Sequence, residues 1–368
     1  MSARLSGLGL FAAGVLWASV SLANTITYTF TDLGTPGGAG NKALAINNAG
    51  QVVGYVQTPG YGYSATLWDG ATVTNLGALS GTYSGATAIN NVGQVAGYAT
   101  VTGNAAYHAT LWNGTTATDL GTLGGSDSYA FGINSAGQVV GYSDTTGNAG
   151  AHAALWNGTT MIDLGTLGGH QSHAYAINDA GQVVGDAEST GNIGHATLWN
   201  GITATDLGTL GGDYSGAYAI NITGQVAGWA YTAGGVYHAT LWKGAMAIDL
   251  GTLGGIYSQA TAINNAGQVV GHSDTTDNVG HATMWDGATV TDLNSFLDAN
   301  TLSSGWVLYD AHGINDQGWI VGDAYNARLG VDHPFLLTPN PVPEPETYAL
   351  VLAGLGLLGF ITRQRKSP

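Results

Sequence analysis

The chain has no cysteine, so neither a disulfide staple nor a thiolate metal site can hold it together. Basic side chains are almost as scarce: of 368 residues, 7 are Lys or Arg, against 23 Asp and Glu. Between positions 24 and 341 they are Lys42, Lys243 and Arg328 alone. Such a surface repels phosphate backbones, which argues against nucleic acid as a partner and leaves cations and neutral polymers open. Charge of either sign is low at 8%, yet 44% of the residues are hydrophobic and 60 are Gly. A disordered chain shows the opposite balance; this one can bury a large core. Helical periodicity is missing as well. The apolar runs are short, rich in Val, Thr, Tyr and Trp, and broken by Gly every few residues, as in strands and tight turns.

The two ends are different. Residues 1–23 carry one early base (Arg4), an apolar stretch over 8–20, and small residues Ser21 and Ala23 before Asn24. That is the layout of a signal peptide cleaved after Ala23, with a retained anchor as the alternative. Residues 347–362 are uncharged and mostly Ala, Leu and Gly, followed by Arg363, Arg365 and Lys366. As a helix they would reach about 24 Å, slightly short of a ~30 Å hydrocarbon core. Tyr348 would sit at the interface and the basic tail in the cytoplasm. A C-terminal transmembrane helix is therefore expected. With Val342, Pro343, Glu344 and Pro345 ahead of it, segment 340–368 resembles the PEP-CTERM sorting signal of Gram-negative bacteria. The resemblance implies export, transient inner-membrane anchoring, and processing by an exosortase. The mature chain would then sit at the cell surface or outside the cell, in an exopolysaccharide-producing, biofilm-like setting.

Ile-Asn recurs at 46, 89, 133, 177, 220, 263 and 314. A period in the low forties with four short strand-like segments points to propeller blades. In residues 173–211 the segments read HAYAIN, GQVVGDA, HATLW and ITATDLGTL. The Asn-Gly or Asp-Gly after the Trp at 69–70, 113–114, 157–158, 200–201 and 286–287 predicts a type I′ hairpin between the third and fourth strands. The residue before each Ile is Ala or Gly, which suits the strand nearest a crowded axis. The chain opens with a lone fourth strand and ends with three strands lacking a fourth. Pairing the two closes the ring and removes the edges that an open solenoid, the alternative, would expose. The expected fold is all-β: a seven-bladed β-propeller over 24–339, closed by its N-terminal strand. The repeats resemble the extracellular HAF repeat in their DLGTLGG, AIN, GQVVG and HA-x-LW segments, and His333-Pro334-Phe335 comes nearest to its eponymous triplet. That family brings no established activity.

Candidate residues fall into series. His108, His152, His195, His238, His281 and His333 open third strands, with Ser64 in the first unit. Equivalent positions two strands out from the axis lie about 15 Å apart, too far to share an ion whose ligands sit at ~2.1 Å, so no metal site is assigned. Asp119, Asp163, Asp206 and Asp249 recur too regularly for a unique catalytic group and fit carboxylates accepting backbone N–H bonds in turns. Asp144, Glu188, Asp274 and Asp277 read as solvated loop acids; Ca²⁺ is possible there but lacks its usual spacing, and no cofactor is indicated. The loops entering each inner strand hold Ser84, Ser128, Ser172, Ser215 and Ser258, beside Tyr83, Asp127, Gln171, His173, Tyr214 and Tyr257. Tyr rings and hydroxyls suit a glycan, and this mouth is the expected ligand site. In the divergent last unit Asp310 and His312, two apart, share a strand face, but they read as a structural bridge and no catalytic residue is assigned. The function expected is an exported binding or structural module for exopolysaccharide or matrix proteins, without chemistry of its own. A propeller-type polysaccharide hydrolase or lyase is the alternative.

Overall fold

The computed structural model describes residues 27–340, apart from 35–39, 59–61 and 159. The expected signal peptide, membrane span and sorting segment lie outside the described residues. Seven four-stranded antiparallel sheets follow one another along the chain. Blade four is typical: Gly168–Ile177, Gln182–Ser189, Gly194–Asn200 and Thr203–Asp206 pair in sequence order. The last blade has Trp306–Ile314, Ile320–Asn326 and Val331–Pro339, and its fourth strand is Tyr28–Asp32 from the chain start. The register runs from Tyr28 opposite Pro339 to Asp32 opposite Phe335. The ring is a closed propeller, as the strand tally requires.

Local chemistry explains each blade. Every inner strand carries a bulge one residue before the Ala or Gly of Ala/Gly-Ile-Asn, for example between Ala174 and Ala176. The second strand there approaches so closely that a Cβ on Gly185 would lie 1.8 Å from the His173 carbonyl oxygen, so Gly is obligatory. The outer hairpins differ from the expectation. Asn113 pairs with Thr116, leaving Gly114 and Thr115 as the loop, and the positive φ (59°) belongs to Gly114, with none at Asn113 or Thr115. One left-handed residue in first place is the type II′ pattern, so the Asn closes the strand and the Gly turns it.

Blades pack face to face. Trp112, Trp156, Trp199, Trp242 and Trp285, one per blade, are essentially fully buried. Each is wedged against the preceding blade: Trp199 clusters with Val140, Ala153 and Leu155 of blade three. Blade seven meets blade one the same way, through Val321, Ile46 and Trp68. A buried Trp of this kind is worth about 3–5 kcal/mol against Ala. A short segment at Leu293–Phe296 and Ala299–Ser303 precedes the last blade, and Asp298 caps it through the N–H groups of Asn300 and Thr301.

Candidate functional site

Three registers on the first two strands differ strongly from repeat to repeat. One is the bulged residue of the inner strand: Leu44, Thr87, Phe131, Tyr175, Tyr218, Thr261 and His312. Equivalents in neighbouring blades touch, with Phe131 and Tyr175 at 5.6 Å between centroids and Tyr175 and Tyr218 at 5.0 Å. The other two registers are cross-strand partners: Lys42 with Tyr55, Gly85 with Tyr98, Tyr129 with Tyr142, His173 with Asp186. The series continues with Gly216 and Trp229, Gln259 and His272, Asp310 and Asp323. Immediately beside them Ala43, Ala86, Ala130, Ala174, Ala217, Ala260 and Ala311 are identical and fully buried. At the other end of the strand the residue after each Ile-Asn, from Asn48 through Ser135, Asp179 and Ile222 to Asp316, varies as well. At the mouth, strong variation at the three registers sits directly beside the invariant Ala.

Aromatic rings fill most of this mouth. Tyr98, Tyr107, Tyr129 and Tyr142 form a contiguous set at 5.1–5.7 Å, continued through His173, which meets Tyr142 at 4.8 Å. A second set joins Trp229, Tyr231, Tyr237 and Tyr257, the last two stacked at 4.8 Å. Glycine makes room for the largest rings. A Cβ on Gly85 would sit 2.7 Å from the Tyr98 ring, and one on Gly216 would sit 2.9 Å from the Trp229 indole nitrogen. The second set, with Tyr218 and Gln259, lines a pocket of about 220 Å³ through Trp229, Tyr231 and Tyr237. Burial pushes the Tyr98 phenol up to about 12, with smaller help from Tyr55 and Tyr107. Burial likewise raises Tyr175, Tyr218 and Tyr237. These phenols stay neutral and can donate hydrogen bonds at any physiological pH.

The opposite wall is ionic. Asp323, 1% exposed, receives Lys42 of blade one and His312 Nε2 at 2.8 Å on the same oxygen. Asp310 faces His272 Nδ1 of blade six at 3.4 Å, and Lys42 lies 5.7 Å from the Tyr309 ring centroid. Burial works against the charged form of His312, but Asp323 and Asp310 outweigh it and hold the imidazole above its ordinary value. Burial also opposes ionisation of Asp310, yet His272, His312 and Lys42 hold its carboxyl below the usual carboxylate range. Burial alone would lower the Lys42 ammonium, and Asp323 with Tyr309 raises it instead. Asp323 Oδ2 thus holds Lys42 and His312 together on one oxygen. Sequence reading caught Asp310 and His312 and missed their partners, because Lys42, His272 and Asp323 belong to other strands.

The other expected site residues scatter. Ser84, Ser128, Ser172, Ser215 and Ser258 are buried, and each hydroxyl is engaged within the fold. Ser172 accepts from Ala153 N–H at 2.9 Å and donates to the Gly165 carbonyl at 2.7 Å, stitching blade four to blade three. The same two bonds recur at the other four, so these hydroxyls are not offered to a ligand. Asp127, within the inner strand of blade three, accepts from Tyr107 N–H of blade two at 2.8 Å and from Ser126. Tyr83 packs against Gly62. His173 does reach the axis, 3.2 Å from Asp186, and Tyr214 and Tyr257 are exposed beside the aromatic pocket at 46% and 38%. The loop acids do more than meet solvent: Glu188 accepts from His170 and Gln171 N–H, and Asp144 from Asp127 N–H.

The recurring His and Asp series pair with each other. His152 Nδ1 lies 2.9 Å from Asp163, whose other oxygen accepts Gly165 N–H at 2.8 Å. Blade one substitutes Ser64 and Asn75 at 3.1 Å. In blade seven His333 pairs with Asp32 of the N-terminal strand at 2.9 Å. Among the described residues no three His, Cys, Asp or Glu side chains converge to hold a metal ion.

At the far end of the inner strands, the Asn of each Ile-Asn forms a ring. Asn47 Nδ2 donates to the Asn90 carbonyl at 3.1 Å, Asn90 to Asn134, and so on to Asn315, which donates back to Asn47 at 3.0 Å. Each Oδ1 accepts the N–H four residues on, as Asn134 does from Gln138. This ring encircles a polar depression of about 250 Å³.

Residues 341–366 match the PEP-CTERM protein-sorting motif, a signal for exosortase processing that marks the chain for export to the surface or beyond. No curated protein matches. Among solved structures, TolB from Acinetobacter baumannii shares 10% identity over 80% of this chain and 64% of its own, at TM-score 0.42. The chain therefore spans less than two thirds of TolB. An arginine-to-alanine mutant of AofleA from Arthrobotrys oligospora shares 13% over 72% and 88%, at TM-score 0.39. The six-bladed fucose-recognising lectin of Aleuria aurantia shares 12% over 83% and 96%, at TM-score 0.37. At these identities and scores the likeness carries no inference about ligand or activity.

Proposed function

We propose that the mature chain is a glycan-binding module of the cell surface or extracellular matrix, and that its ligand docks at the aromatic mouth of the axis. One observation carries the reading: at strongly varying registers, blades five and six assemble Tyr and Trp rings around a pocket of about 220 Å³. Flat apolar faces with phenol and indole donors at their edges match the alternating C–H and hydroxyl surfaces of a sugar. The exported location and the HAF-type look of the repeats support an extracellular partner, whether exopolysaccharide or a glycosylated matrix protein. Glycan-array binding by the full-length chain tests this. Trp229→Ala is expected to lower affinity for any captured glycan at least tenfold, whereas Tyr83→Ala, outside the pocket, leaves it within twofold. Equal binding by wild type and Trp229→Ala would remove this mouth from consideration.

A second reading, a polysaccharide hydrolase or lyase, draws on Asp310, His312 and Lys42 across the same mouth. Release of reducing ends or unsaturated sugars by wild type and not by Asp310→Asn would favour it over binding alone.

A further inference from the structure

The pocket is not isolated. Beside it lies a cavity of about 340 Å³ lined by Asp213, Tyr214, Tyr231 and the glycines around them. Tyr231 is the wall common to both. Its ring stands 5.8 Å from Trp229 and 5.9 Å from Tyr237 on one side, and 5.9 Å from Tyr214 on the other. Two compartments of this size, divided by one aromatic ring, form a groove with more than one sugar-sized station.

The electrostatics of the groove are one-sided. Asp213 lines the second cavity. Asp274 accepts Tyr257 N–H at 3.2 Å and, after burial, is the main influence raising the Tyr237 phenol. Asp186 acts on Tyr218 in the same sense. His272, beside Gln259, faces Asp310 instead. Among the described residues no lysine or arginine answers these acids. The basic side chains there are Lys42, Lys243 and Arg328. Lys42 is committed to Asp323, Lys243 sits at the far end of its strand opposite Gln225, and Arg328 belongs to the last blade, against Gly305. An acidic sugar would enter a partly desolvated site facing like charge within a Debye length of about 8 Å.

We infer that the groove takes two or more consecutive sugars of a polysaccharide that carries no carboxylate or sulfate; this rests on the glycan-binding reading and names its ligand class. Calorimetry on the full-length chain tests it, using 1,4-linked oligomers of one to six units: β-linked glucose as the neutral series, β-linked glucosamine as the amine-bearing series, α-linked galacturonate as the acidic one. The neutral or amine series is expected to tighten at least tenfold from monomer to trimer, with galacturonates at least tenfold weaker at equal length. Tyr231→Ala is expected to abolish the gain with length, and Tyr231→Phe to keep it. Asp213→Asn with Asp274→Asn is expected to narrow the gap to galacturonate. Galacturonate binding as tight as the best series, or no gain with length, overturns this inference while leaving a glycan site standing. No binding in any series, with Trp229→Ala indistinguishable from wild type on the array, overturns both.

Discussion

At the scale of single residues, the Asn of each repeat shows how one side chain can organise both a turn and a ring. Its Oδ1 holds the turn that follows, and its Nδ2 reaches the neighbouring blade's backbone. Asn134→Ala would take the acceptor from the N–H groups of Ala136 and Gln138 and one of two donors from the Asn178 carbonyl, which keeps Gly181 N–H. Ala136 and Gln138 are not buried, so each lost bond is worth ~0.5–1.5 kcal/mol. A loss of about 2 kcal/mol in urea denaturation is therefore expected, with the fold retained. His312 sets a pH signature. Its folded pKa is raised, so its stabilising contribution is complete below the ordinary imidazole value of about 6.5 and fades as pH rises through the higher folded value. Asp310 is depressed and works the other way, contributing above the ordinary carboxylate value and losing that only as pH falls through its lower folded value. His312→Gln should accordingly remove a decline in Tm that is expected of the wild type as pH rises above about 6.5, read by calorimetry. The importance of Asn was hidden in plain sight: the sequence shows it seven times, but a bond from Asn315 to Asn47 spans 268 positions and has no local signature.

Among the elements, the inner strand and the N-terminal strand decide the architecture. The strand tally identified the closing strand because complementary fragments at the two ends have one natural partner. Equally legible was the small residue before each Ile, since crowding near the axis admits nothing larger. What escaped was the bulge. A pattern of alternating residues gives no hint that one residue per inner strand is extruded, and that residue, Tyr175 or His312 for example, is the one aimed at the axis. The turn type escaped for a related reason: Asn-Gly is compatible with two registers, and only pairing fixes which residues are central. The closing strand also separates two effects. Asp32→Ala removes a partly exposed pair with His333 and should cost about 1 kcal/mol or less in thermal unfolding. Deleting residues 24–33 bares the Phe335 and Leu337 edge and removes Tyr28 from the blade-seven core. That variant is expected to elute as aggregates in size-exclusion chromatography.

For the whole molecule, near-identity of the blades and asymmetry of the axis lead to opposite valencies. A lectin with one pocket per repeat would bind seven ligands. Here no two blades present the same trio to the axis, and Trp229 occurs in one of them. Titration should therefore give one glycan per chain, with Trp229→Ala abolishing that single site rather than one in seven. The sequence held the information for this, in the comparison of each repeat with its siblings. It lay in the differences at three registers, while the repeat itself is recognised by what stays the same.

The His333–Asp32 pair and the Tyr28–Pro339 register carry a timing consequence. The segment that leaves the ribosome first must wait, unpaired, for one made about three hundred residues later. Six sheets can assemble as the chain is made, but the seventh cannot until its last strand is available. A chain stalled midway would thus present an unsealed edge to any protease or chaperone, and one with the last strand in place would not.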